Sequence, residues 1–277
     1  MSNGRSDMPD ALPSFERPPV NETAIGVEFA RLPGFGLPYF GLYWNAIRQD
    51  YPTFETYGPI ASQPERFGAA RFLVKKPRVE LLTEPEVRCW FIHASGDRLL
   101  QLQADRFIHN WRKQAAGGQY PRYETLRPCF EAEWRRFLAF LAANGLPEPT
   151  VTQCDVTYVN HLEVGHGWKS MADVGRVFPF INSGKGFPFI GAPETATLNM
   201  HFVIPPEQGR LRASVQHARR VADGTELLQF TLAARGAPKS SSWEDIAEWF
   251  DLGREWVVRG FADLTSPEMH QVWGRRS

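Results

Sequence analysis

Residues 99–112 hold the densest run of side chains with chemical potential in this chain. Gln101 and Gln103 are followed by His109, Asn110, Trp111 and Arg112. A guanidinium can hold a carboxylate or a phosphate through two hydrogen bonds, and an asparagine amide both donates and accepts. The run therefore predicts either a polar binding site or a polar cluster that only fixes the register of a sheet, with Trp111 in the core.

A reaction is not indicated by any local motif. The sequence lacks the nucleophile elbow of hydrolases, the Walker A loop, the dinucleotide-binding glycine pattern and the His-Glu-x-x-His zinc motif. An enzyme would have to assemble its site from strand residues that are distant in sequence. The candidates for such a site are His109, Arg112, His161, Glu163 and His201.

The C-terminal strands offer a second polar surface. Alternation places His201 on one side of its strand, and Arg212 and Gln216 on one side of the next. This side is either a solvated face or a concave surface that binds a peptide or a small molecule. The ligand-binding candidates of the whole chain are thus His109, Asn110, Arg112, His161, Glu163, His201, Arg212 and Gln216.

Composition narrows the class of protein. Among 277 residues, Lys+Arg and Asp+Glu both number 31, so no overall field attracts nucleic acid or an anionic membrane. The three cysteines are far apart and form no CxxC pair, so we expect no disulfide framework, no metal and no other cofactor. The chain has no signal-peptide pattern and no apolar run of roughly 20 residues, which predicts a soluble, cytoplasmic protein without membrane contact.

The elements that must position these residues follow from periodicity. Alternating apolar residues predict strands at 24–32, 88–94, 99–112, 150–164, 197–204, 211–221 and 226–234. Periodicity of 3.6 residues predicts helices at 39–51, 123–144 and 243–263, the last with Ser242 as its N-cap and Trp256 on its core face. The fold class is therefore α+β, an antiparallel sheet with its long helices packed mainly on one face. The other face would be free to bind a partner.

Domain organisation also follows from these patterns. Residues 1–18 are polar and contain prolines, which predicts a disordered N-terminal tail before a single domain at residues 19–277. The strand-strand-helix order occurs in residues 19–149 and again in 150–277, as a duplicated unit would give. Convergence explains the same order, because any helix on a sheet needs bulky apolar residues.

Several motifs together suggest a family. They are Gln101-Leu102-Gln103-Ala104-Asp105-Arg106-Phe107, Asn110-Trp111-Arg112-Lys113, Tyr120-Pro121-x-Tyr123-Glu124, Phe130…Trp134…Phe137, Tyr158-Val159-Asn160 and Trp273-Gly274. With these motifs the chain resembles a sporadically distributed prokaryotic protein family of unknown function, over most of residues 20–275. The resemblance implies no agreed activity or catalytic residues, and the patchy distribution of the family suggests a mobile-element or defence context.

Three functions remain open from the sequence. The first is a module that binds an unidentified protein or small molecule, and we favour it because no catalytic motif is found. The second is an enzyme whose site lies on the open sheet face. The third and least favoured is a nucleic-acid binder that uses Arg210, Arg212, Arg219 and Arg220.

Overall fold

A computed structural model describes residues 11–62, 64, 65, 67, 86–114, 117–181, 189–191 and 193–277. The described residues form one sheet of nine strands, five α-helices and a short 3-10 turn at Met171–Asp173. The strands are β1 (Val20–Phe29), β2 (Thr53–Tyr57), β3 (Arg88–Ile92), β4 (Arg98–Gln103), β5 (Arg106–Arg112), β6 (Val151–Glu163), β7 (Thr197–Ile204), β8 (Gly209–Arg219) and β9 (Glu226–Gly236). The helices are α1 (Leu37–Ile47), α2 (Tyr123–Ala143), α3 (Val174–Val177), α4 (Trp243–Leu264) and α5 (Pro267–Val272).

The sheet is antiparallel throughout, in the order β2-β3-β4-β5-β1-β6-β9-β8-β7. Each half starts with a central strand, β1 or β6. The chain then returns to pair β5 with β1, or β9 with β6, and a long helix follows. This order is what the pseudo-repeats would give, and a shared origin of the halves stays a prediction.

The helices cover one face of the sheet, as the sequence predicted. On α2, the residues Phe130, Trp134 and Phe137 are buried and contact Phe107 of β5. On α4, Phe261 lies 5.9 Å from Phe230 of β9, measured between ring centroids. Burying each such ring contributes about 1.5–3 kcal/mol, so these contacts hold the helix layer on the sheet. We call this side the helix face and the opposite side the open face.

Two glycines allow α4 to approach the sheet closely. A Cβ added at Gly253 would lie 3.2 Å from Val156 of β6, and one added at Gly260 would lie 2.6 Å from Leu211 of β8. The predicted N-cap is also present, since the backbone N–H of Asp245 donates to the Ser242 hydroxyl. The predicted core position Trp256 is only half-buried, and Trp249 is buried instead.

The chain before β1 differs from the predicted tail. Phe15 is 5% exposed and packs on Phe261 and Trp273, while the backbone of residues 16 and 17 bonds to that of residues 274 and 273. Residues 11–18 therefore lie against the C-terminal segment, because an apolar ring in their middle is buried there. The part of the expected tail at residues 1–10 lies outside the described residues.

Candidate functional site

A cavity of about 310 Å³ lies on the helix face, between the start of α2, the second half of α4 and the sheet. We call it the interhelix cavity. Its walls are Leu12, Pro13, Ser14, Phe15, Pro18, Val20, Tyr120, Arg122, Tyr123, Glu124, Tyr158, Asn160, Leu232, Arg254, Val257, Val258, Phe261 and Arg276. The volume is at the lower end of the ~300–1,000 Å³ of small-molecule sites, and the lining combines apolar walls with a few polar groups, as such sites do.

Two tyrosine hydroxyls meet in this cavity. Tyr120, in the loop before α2, donates to the Tyr158 hydroxyl of β6 at 2.6 Å. Burial raises the pKa of both hydroxyls. The hydrogen bond between them raises the pKa of Tyr120 further, and it lowers the pKa of Tyr158 by less than burial raises it. Both hydroxyls therefore stay protonated at neutral pH, where they can form hydrogen bonds but cannot act as bases.

Arg254 brings a cation from α4 to the same cavity. Its Nη2 donates to Glu124 at 2.7 Å, and its guanidinium lies 4.9 Å from the ring centre of Tyr123. Its buried Nε has no hydrogen-bond partner among the described residues. A buried N–H without a partner costs about 1–3 kcal/mol, which a bound acceptor would recover.

Arg122 is the most unusual residue of the cavity. It precedes α2 with φ 69° and ψ 157°, a backbone region that residues other than glycine rarely adopt. Its Nη2 donates to the carbonyl of Phe15 at 2.9 Å, and its guanidinium lies 5.6 Å from the ring centre of Tyr120. Within the described part of the chain, no carboxylate pairs with it.

The lining is positively charged on balance, because three arginines face one glutamate, Glu124. Among the described residues, the Arg276 guanidinium makes one ion pair, a long contact of 3.9 Å to Glu16. Helix α2 begins at Tyr123, so the positive end of its dipole lies at the same place. The cavity can therefore hold a small anion with an apolar body.

On the open face, the motif residues of β4 and β5 form a closed network of hydrogen bonds. The Gln101 amide donates to Asn110 at 2.8 Å, and the Asn110 amide donates to Glu22 at 2.6 Å. Gln101 also accepts from Arg88 and from the Trp90 indole. Because Asn110 is buried and its amide is paired across three strands, its contacts are those of the register-fixing alternative.

Arg112 lies beside this network and stacks on an aromatic ring. Its guanidinium lies 4.7 Å from the ring centre of Trp90, and that of Arg88 lies 5.4 Å from the same ring. The ring of Tyr57 lies 4.3 Å from Trp90 and is partly exposed. Trp111 points to the other face and is 4% exposed, as predicted for a core residue.

The remaining open-face candidates fall into separate groups. His161 lies opposite Gln229 of β9, and Glu163 pairs with Arg220 at the same end of β6. His201 lies on β7 opposite Arg212 of β8, and Arg212 pairs with Glu65 at 2.5 Å. Gln216 is exposed further along β8. Burial and the nearby arginines lower the pKa of both His161 and His201, so both are neutral at neutral pH.

His109 does not lie on the open face, so its prediction as a residue of that surface was wrong. It lies on β5 between Phe107 and Trp111 in the alternation that faces the helices, and it is 2% exposed. Burial, with Arg98 and His93 adding to it, lowers the pKa of His109 to about 4. Because strand residues alternate between faces, His109 cannot join Arg112 or His161 on the open face. The five proposed enzyme residues are thus divided between two faces and several strands.

Residues 58–62, 64, 65 and 67 cover one end of the open face, which the sequence did not predict. They bond Gln103 through Ile60 and Glu28 through the Ser62 hydroxyl. Beneath them, Glu28 is 5% exposed and pairs with Arg106 at 2.5 Å and with Arg235. The charges of this buried cluster compensate each other, and removing one of them would leave an unpaired buried charge. We therefore assign the cluster a structural role.

Comparisons with known proteins add no relative. No protein-family model matches the chain, and no curated protein matches it significantly. Across the residues that the structure describes, no group of three or more His, Cys, Asp or Glu side chains is placed to hold a metal ion. None of the helices in that part of the chain is long and apolar enough to cross a bilayer.

The cavity was not predicted from the sequence, although two of the sequence motifs line it. Tyr120, Tyr123 and Glu124 come from the Tyr-Pro-x-Tyr-Glu motif, and Tyr158 and Asn160 from Tyr-Val-Asn. The signal that could have pointed to the cavity was this pair of tyrosine-containing motifs, to which no structural role had been assigned. Arg122 and Arg254 carried no signal, because neither a backbone outlier nor a long-range contact is visible in a single sequence.

Proposed function

We propose that this protein is a small-molecule-binding module and that its ligand occupies the interhelix cavity. We also propose that the protein is soluble and cytoplasmic, which its composition supports. A mobile-element or defence context is part of the proposal and is supported only by the family resemblance. The module would bind and release its ligand without converting it.

One observation supports the proposal most strongly. Residues from six separate segments of the chain converge on one cavity of about 310 Å³, and they supply paired hydroxyls, three arginines and apolar walls. A cavity that only resulted from imperfect packing would be expected to be apolar and smaller. The protonated hydroxyls of Tyr120 and Tyr158 favour binding over general base catalysis.

A protein partner at the open face is the second candidate. The stack of Arg112, Trp90 and Arg88 leaves aromatic and cationic groups partly exposed, and arginine and tryptophan are enriched where proteins bind. Replacing Arg112 with alanine should then abolish co-purification of the partner from the native host. If the same partner is recovered with both proteins, this second candidate fails.

The test of the small-molecule proposal is a fragment screen by ligand-observed NMR on the full chain. Val258→Trp fills the cavity from α4, and Val221→Trp adds the same side chain at a fully exposed position. We expect fragments that bind the wild type and Val221→Trp but lose affinity for Val258→Trp. Circular dichroism confirms that both variants fold. Equal binding to all three proteins, or no binding to the wild type, refutes the proposal.

A further inference from the structure

The geometry points to a ligand of one chemical class, an organic carboxylate with a small apolar body, for which Arg122 determines the specificity. This inference rests on the proposed function, since it names the ligand of the same cavity. It follows from three features of the cavity, which are an uncompensated cation, a set of donors without acceptors and an apolar wall.

The uncompensated cation is Arg122. Its neighbour Arg254 is paired with Glu124, whereas Arg122 donates only to the backbone carbonyl of Phe15 and pairs with no carboxylate among the described residues. Its backbone conformation is one that glycine adopts far more easily, so the backbone at Arg122 is strained. Strained residues cluster at ligand sites, and a half-buried guanidinium without a counter-ion there fits an anion.

The donors without acceptors lie close to this cation. The buried Nε of Arg254 has no partner in the described part of the chain, and the Tyr120 and Tyr158 hydroxyls share one hydrogen bond between them. A carboxylate has two acceptor oxygens and no donor, so it matches an excess of donors. A primary amide of the same shape has one acceptor oxygen and would bring an N–H group towards the guanidinium groups.

The apolar wall sets the rest of the ligand. Val20, Leu232, Val257 and Phe261 are lining residues and are largely buried. They enclose the side of the cavity formed by the sheet and α4. A short alkyl or phenylalkyl group would therefore bury its surface there while its carboxylate reaches the arginines.

The experiment measures affinities by titration calorimetry for matched pairs of probes. Each pair consists of a carboxylate and its primary amide, such as 3-phenylpropionate with 3-phenylpropionamide and hexanoate with hexanamide. Phenyl phosphate is added to separate carboxylate from phosphate recognition. The proteins are the wild type, Arg122→Met, which keeps the length of the side chain and removes its charge, and Arg127→Met, which makes the same change in α2 outside the cavity lining.

For the wild type and Arg127→Met, we expect each carboxylate to bind about 10- to 100-fold more tightly than its amide. In Arg122→Met this preference should fall to within about threefold, with the affinity of the amide unchanged. If carboxylates and amides bind the wild type equally, or phenyl phosphate binds most tightly, the inference about the ligand fails and the small-molecule proposal stands. If no member of any pair binds the wild type, both fail.

Discussion

Replacing Arg122 with glycine should make the protein more stable than replacing it with alanine. Arg122 adopts φ 69° and ψ 157°. For a residue with a Cβ atom this region costs about 1–3 kcal/mol, and glycine avoids that cost. Glycine also has more conformational entropy than alanine in the unfolded chain. This lowers the stability of the glycine variant by about 0.4–1 kcal/mol and partly offsets its advantage.

Both substitutions remove the hydrogen bond to Phe15 and the contact with Tyr120, so these losses cancel in the comparison. The free energy of unfolding of Arg122→Gly should therefore exceed that of Arg122→Ala by about 0.5–2 kcal/mol. The position precedes the helix, where glycine is tolerated, so no helix-propensity penalty opposes this.

The assay is urea denaturation followed by tryptophan fluorescence and circular dichroism. The control is the same pair of substitutions at Arg127, inside α2, where glycine should be about 1 kcal/mol less stable than alanine. The order of stability must therefore reverse between the two positions. If alanine is as stable as glycine at position 122, the backbone there is not strained and the reasoning on Arg122 is refuted.

Three further predictions concern the rest of the fold. Phe15→Ala should lower the free energy of unfolding by about 3–5 kcal/mol, since its ring is buried against Phe261 and Trp273, whereas a disordered tail would give no change in urea denaturation. Glu28→Gln should cost about 3–5 kcal/mol, because it leaves Arg106 and Arg235 buried without their shared carboxylate, and a loss below about 1 kcal/mol in the same assay would show that the cluster is hydrated. His109 has a folded pKa of about 4 against an ordinary 6.5, so the unfolded chain binds the extra proton between these values and stability falls as pH decreases. Between pH 6.5 and pH 5 this loss should be roughly 1–2 kcal/mol, and His109→Gln should lack it; equal pH dependence of the two proteins would contradict the burial of a neutral imidazole.

The sequence predicted the fold class because its periodic patterns are long. Thirteen consecutive residues of β6 alternate between faces, and α2 repeats its aromatic residues at helical spacing over 21 residues. Short elements gave no such signal. Helix α5 has six residues and β2 is exposed along its whole length, so neither carries a periodic apolar pattern.

The site was harder to predict, because it depends on contacts between distant parts of the chain. Alternation correctly placed His201 with Arg212 and would have separated His109 from Asn110 had it been applied strictly to β5. The cavity needs Phe15, Tyr120, Tyr158 and Arg254 to meet, and no local pattern encodes that meeting. The segment at residues 99–112, the richest in polar groups, instead contributes the network that fixes the register of the sheet.

A crystal structure of the full chain with 3-phenylpropionate tests the central claim most directly. We expect the phenyl group between Leu232 and Val257 in the interhelix cavity, with the carboxylate within hydrogen-bond distance of Arg122 and of Tyr120 or Arg254. Density for the probe on the open face, beside Arg112 and Trp90, or in the cavity with its carboxylate directed away from Arg122, would contradict the account.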